Sequence, residues 1–147
     1  MVIKNLEELD NLAGKVLENL PGNVLALSGD LGVGKTTFTQ LLLKRLGVIE
    51  KVTSPTFVIL KKYDIDFGKY KKVWHMDCYR LDNTKELEVL GFKEIVNDSK
   101  ALVIIEWAEK IKEALPQNVF WMNFKHGENE GERIIEIKSQ EFTPLDK

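Results

Sequence analysis

At 147 residues, 44% of them hydrophobic, the chain has the length of one domain able to bury its own core, and residues 1–147 are expected to form a single unit. A formal charge of −2 excludes the global positive field of a general nucleic-acid binder, so no DNA partner is expected and any role on RNA must be local or indirect. The lone cysteine, Cys78, excludes an internal disulfide framework, and no apolar run approaches the ~20 residues that cross a bilayer, so a cytoplasmic protein with no membrane partner is expected.

In chain order, Asn5 to Leu20 carries apolar residues at Leu6, Leu9, Ala13, Val16 and Leu20, with Asn5 and Glu8 spaced as a capping box. The pattern predicts an amphipathic helix, stopped by Pro21-Gly22-Asn23 before an apolar strand from Asn23 to Ser28. Its polar face carries Glu7, Glu8 and Asp10 against Lys4 and Lys15, which favours packing over a membrane surface.

Next comes Gly29-Asp30-Leu31-Gly32-Val33-Gly34-Lys35-Thr36, a G-x-x-x-x-G-K-T run between a strand and a helix. Glycines can take positive φ, so the backbone N–H groups of Asp30, Leu31, Gly32, Val33 and Gly34 can turn inward around a polyphosphate. Lys35 then meets the β- and γ-phosphates, and Thr36 supplies a hydroxyl to Mg²⁺. Phe38, Leu41, Leu42 and Leu46 give the following segment helical period, and Gly47 is placed to end it. The helix N-terminus aims its own amides at the same anion.

Thr53-Ser54-Pro55-Thr56 follows where nucleotide switches place a hydroxyl-rich loop, and Thr53, Ser54 or Thr56 is a candidate γ-phosphate or metal contact; a local Ser-Pro turn is the alternative. Phe57 to Tyr63 and Lys72 to Cys78 read as an antiparallel hairpin around a polar turn, Asp64 to Lys71. Its lysines form a basic patch, open to RNA or an acidic partner, or simply solvated. In Val73-Trp74-His75-Met76-Asp77-Cys78-Tyr79-Arg80, alternation puts His75, Asp77 and Tyr79 on a face for chemistry and Trp74, Met76 and Cys78 on the core face. Asp77 is expected to hold Mg²⁺, while His75 either orients Asp77 or a phosphate or is a histidine hydrogen-bonded for structure.

Asp82-Asn83-Thr84 caps a short helix closed by Gly91, and another helical turn follows at Phe92 to Val96. Ala101 to Ile105 is continuously apolar, as in a strand buried on both faces, and ends in Glu106-Trp107. An acid at that tip suits the metal shell or the attacking water, while Trp107 either stacks on the nucleoside or covers the strand end. A short helix from Ala108 to Leu115, then strands Val119 to Lys125 and Arg133 to Lys138, complete the chain. The whole reads as an α/β, P-loop NTPase-like three-layer fold, its mostly parallel sheet extended by antiparallel hairpins.

The motifs L-S-G-D-L-G-V-G-K-T-T-F, T-S-P-T-F, H-M-D-C-Y-R and I-I-E-W, in that order, strongly resemble the TsaE (YjeE) family of bacterial ATPases, which serve threonylcarbamoyladenosine synthesis in tRNA. The resemblance spans about residues 5 to 138. It implies binding of ATP or ADP with Mg²⁺, phosphate contacts from Gly32, Gly34 and Lys35, and phosphate and metal contacts from Thr36 and Thr37. It further implies a metal-linked Asp77, catalytic importance for Glu106 and Trp107, and a switch-like loop at Thr53 to Thr56. The implied partners are the TsaB and TsaD proteins, with tRNA engaged through them. A small GTPase is disfavoured by the lack of N-K-x-D and D-x-x-G motifs, and a small-molecule kinase by the lack of an Arg-rich lid. A non-catalytic nucleotide switch would not need both Asp77 and Glu106. Of the three arginines, Arg45, Arg80 and Arg133, none is clearly aimed at the γ-phosphate, although Arg80 can swing in if its strand ends at Tyr79.

Overall fold

A computed structural model describes residues 1–50 and 60–138, so the Thr53, Ser54 and Thr56 loop lies outside the described residues. The elements are β1 (Val2–Ile3), α1 (Leu6–Glu18), β2 (Val24–Gly29), α2 (Lys35–Arg45), β3 (Leu60–Phe67) and β4 (Tyr70–Asp77). They continue as α3 (Lys85–Leu90), α4 (Phe92–Val96), β5 (Ala101–Glu106), a 3₁₀ helix at Ala108–Ala114, β6 (Phe120–His126) and β7 (Arg133–Lys138).

The described strands make one sheet in the order β1-β7-β6-β2-β5-β4-β3. Its centre, β6-β2-β5-β4, is parallel, and antiparallel partners extend both edges. Because parallel strands are joined by crossovers that lay helices on the sheet, both faces are covered. On one face Leu25, Leu27, Leu102, Ile104, Phe120 and Phe124 pack with Leu9, Val16, Phe38 and Leu42 of α1 and α2. On the other, Ala26, Met76, Val103 and Ile105 pack with Leu87, Phe92, Ile95 and Ile111. This is the three-layer α/β arrangement expected from the sequence.

Helix starts and stops follow local chemistry. Asn5 accepts from the Glu8 amide at 2.9 Å while the Glu8 carboxylate accepts from the Lys4 amide at 3.1 Å, a capping box displaced by one residue on its return bond. The buried face of α1 is Leu9, Leu12, Ala13 and Val16; Leu6, expected inside, is exposed because it sits in the first turn, ahead of the packed stripe. At the end of α2, Gly47 takes φ 91°, its amide reaching the Lys44 carbonyl and the Val48 amide the Leu43 carbonyl, which is a Schellman cap. No described helix is long and apolar enough to cross a membrane.

Two local expectations are corrected, and one strand is added to those read from the sequence. The hairpin turn is only Gly68-Lys69, because β3 continues through Asp64, Ile65 and Asp66; on this edge strand the acids point outward, and Asp66 pairs with Lys71. The two-residue β1, too short to announce itself in sequence, adds to β7. The alternation along β4 holds, but the His75 side is no open face: His75 and Asp77 are buried with Val73, as in any central strand covered by helices on both sides.

Candidate functional site

The phosphate loop is shaped by close contacts as much as by free glycine torsions. Gly29 takes φ 133°, and a Cβ there would lie 2.2 Å from the Phe124 carbonyl oxygen of β6, so no larger residue fits. Gly34, the N-cap of α2, takes φ 107°, and a Cβ on it would meet the Arg133 guanidinium at 2.7 Å. Beneath the loop, Ser28 donates to Asn123 and accepts from the Trp121 indole, each at 2.8 Å, which ties the end of β2 to β6.

Lys35 lies in the first turn of α2 and is only 5% exposed. Its ammonium donates to the Asp30 carbonyl at 2.9 Å and to the Gly29 carbonyl, and it stands 3.9 Å from the centroid of Trp107. Burial lowers its pKa, opposed by the surrounding carboxylates of Glu109, Glu106, Asp30 and Asp77. Trp107 is positioned by a positive φ of 57°, the one such non-glycine torsion among the described residues, and its ring meets Tyr79 at 4.9 Å. It therefore covers the strand end and the lysine.

Glu106 and Asp77 end neighbouring parallel strands in direct register. Glu106 accepts from the Thr36 hydroxyl at 2.7 Å and from His75 Nε2 at 2.5 Å. His75 thus orients Glu106, and the Asp77 carboxylate accepts from the Tyr79 amide at 2.9 Å. Thr36, Thr37, Asp77, Glu106 and Trp107 line one cavity of about 450 Å³ with loop residues 31–35. The hydroxyl and two carboxylates are hard oxygen donors of the kind Mg²⁺ takes, yet no group of three or more His, Cys, Asp or Glu among the described residues makes a metal cage. That donor set fits a cation whose remaining ligands come from phosphate oxygens and water. Cys78 is fully buried, and desolvation pushes its thiol up to about 12, as suits an inert core residue.

Two charged residues escaped the sequence reading. Glu109 caps the loop from the 3₁₀ helix, accepting from the Gly29 amide at 3.1 Å; its only signal was an acid three positions beyond Glu106. Arg133, expected merely to begin the last strand, packs against Gly34 at the mouth of the loop. Arg45 is held away by Asp10 at 2.9 Å, and Arg80 lies exposed beyond the end of β4.

A family model described as "Threonylcarbamoyl adenosine biosynthesis protein TsaE" matches residues 3–135. A relative from Rickettsia typhi, named tRNA threonylcarbamoyladenosine biosynthesis protein TsaE, is 35% identical over 139 residues, 92% of each chain. A protein of the same name from Bacillus subtilis is 44% identical over 97 residues, 66% of this chain and 58% of that protein. The crystal structure of Bacillus subtilis YdiB superposes with a TM-score of 0.73 at 33% identity, covering 95% of this chain and 83% of the other.

Proposed function

We propose, from the premise that this chain belongs to the TsaE family, that it acts in tRNA threonylcarbamoyladenosine biosynthesis as an Mg²⁺-dependent ATPase, weak alone and modulated by TsaB and TsaD. The observation that carries this reading is the Thr36–Glu106 contact, which joins the phosphate loop to the acid at the tip of the adjacent strand. In such a site the loop amides and the Lys35 ammonium bind the phosphates, exchanging the lysine's bonds to Gly29 and Asp30 for phosphate oxygens. Bound Mg²⁺ would neutralise charge across the β- and γ-phosphates; Thr36, Asp77 and Glu106 are the residues that would hold it or its waters. Glu106, fixed by His75, is also placed to orient the attacking water. The switch-like role of Thr53, Ser54 and Thr56 belongs to the same proposal on sequence grounds.

The absence of guanine-reading motifs favours adenine nucleotides. At a hundredfold excess over its dissociation constant, ATP should add about 2.7 kcal/mol to stability. Thermal unfolding with millimolar Mg-ATP should show a clear upward shift, larger than with GTP, and Lys35→Ala should remove most of it. No shift, or a larger one with GTP, refutes adenine-nucleotide binding.

A further inference from the structure

The strands β2 and β5 both end at the phosphate loop, but not at the same level. β5 stops at Glu106, which pairs with Leu27, while β2 runs on to Gly29, still paired with Phe124 of β6. The Val103 amide donates to the Asn23 carbonyl at 2.8 Å. In a parallel ladder every second residue turns its groups to the same neighbour, so Leu25, Leu27 and Gly29 face the β5 side. One further step of that ladder would give the Gly29 amide the Trp107 carbonyl. Trp107 instead leaves the strand at φ 57°, and its carbonyl accepts from the Lys110 amide at 3.1 Å. The backbone donor abandoned there is met by a side chain from the 3₁₀ helix: Glu109 Oε2 accepts from the Gly29 amide at 3.1 Å.

Gly29 is the residue from which the loop departs. It is pressed against β6 on one side, where a Cβ would lie 2.2 Å from the Phe124 carbonyl oxygen, and tied to Glu109 on the other. Its carbonyl accepts from the Lys35 ammonium, a bond that phosphate oxygens replace in the reading above. Once Lys35 turns to the phosphates, the Glu109 bond is what holds Gly29 on the β5 side. We propose that Glu109 is a positioning residue for nucleotide binding: by taking the place of the missing ladder acceptor it fixes the take-off of the loop and so aims the amides that follow at the phosphates. This rests on the nucleotide-binding reading above. Glu109 is outside the set of residues lining the phosphate cavity, so it acts through Gly29 and not on the nucleotide.

The test is calorimetric titration of wild type, Glu109→Asp and Glu109→Gln with Mg-ATP and Mg-ADP, with single-turnover hydrolysis read at full ATP occupancy. Aspartate keeps the charge but is one methylene short of Gly29; glutamine keeps the reach and an acceptor oxygen but not the charge. Glu109 is exposed, so both variants leave the core intact. Glu109→Asp should weaken binding about fivefold or more, equally for ATP and ADP because the loop amides cradle phosphates that both nucleotides carry, and Glu109→Gln should recover most of that loss. The loss should lie in affinity, with little change in rate at full occupancy. Equal affinity in all three proteins overturns the proposal. So does the reverse order, glutamine impaired and aspartate intact, which would make Glu109 a charge partner of Lys35, on which it acts most strongly of the surrounding carboxylates. A loss confined to ATP, or a rate that falls with affinity, would place Glu109 in the γ-phosphate chemistry and also overturns it. Wild type that binds neither nucleotide, matching Lys35→Ala, overturns the nucleotide reading and this proposal with it, a result distinct from failure in the variants alone.

Discussion

Glu106 is constrained from two sides, by His75 on the neighbouring strand and by Thr36 on the loop helix, and is only 2% exposed. A carboxylate so fixed cannot wander to seek the base or ribose, and in the proposed site ground-state phosphate binding falls to Lys35 and the loop backbone. Glu106→Gln preserves size and one hydrogen-bond acceptor while removing the charge. It should therefore lower single-turnover hydrolysis far more than ATP affinity, the pattern of an interaction made chiefly in the transition state. Affinity falling in proportion to rate would contradict that assignment. The same logic separates Glu106 from Glu109, whose carboxylate serves the loop backbone at Gly29.

Among the elements, α1 and β5 draw their stability from different sources. The N-terminus of α1 is held by the Asn5 side chain, so Asn5→Ala should cost about 1 kcal/mol in urea unfolding with no change in nucleotide affinity, since the cap lies outside the cavity. All six residues of β5 are buried. Ile104→Ala there removes a fully buried side chain between β5 and the helices above it and should cost roughly 2–5 kcal/mol. Because Ile104 pairs with His75, two residues short of Glu106, that variant should also loosen the site, read as a lower hydrolysis rate at full ATP occupancy.

For the molecule as a whole, the proposed hydrolysis requires charge compensation on the γ-phosphoryl. Arg133 approaches the loop from the side opposite the carboxylates, and Arg45 is paired with Asp10 on the surface. Neither stands where the γ end would lie. An arginine supplied in trans changes rates by roughly 10³ to 10⁵ in systems that use one. Hydrolysis by the isolated chain is therefore expected to be slow, and single-turnover rates should change by at least about tenfold, roughly 1.4 kcal/mol of barrier, when TsaB and TsaD are added. Fast turnover unaffected by those proteins and abolished by Arg80→Ala would place the missing cation within this chain.

The phosphate loop, the caps at Asn5 and Gly47, the doubly buried β5 and the acid at its tip were legible in the sequence, because each is set by residues adjacent in the chain: glycine torsions, side chains reaching one turn back, and the period of apolar burial. The three-layer fold followed from the alternation of strands and helices. What only the tertiary structure decided are the contacts that cross the sheet. His75 meets Glu106 because β4 and β5 pair in one register, and a shift of a single residue would turn it to the opposite face. Glu109 reaches Gly29 only through the turn at Trp107, and Arg133 reaches Gly34 only because β7 folds back along β6 to the loop's far side. Strand register and order depend on how distant hydrophobic faces pack together, and no local pattern carries that information.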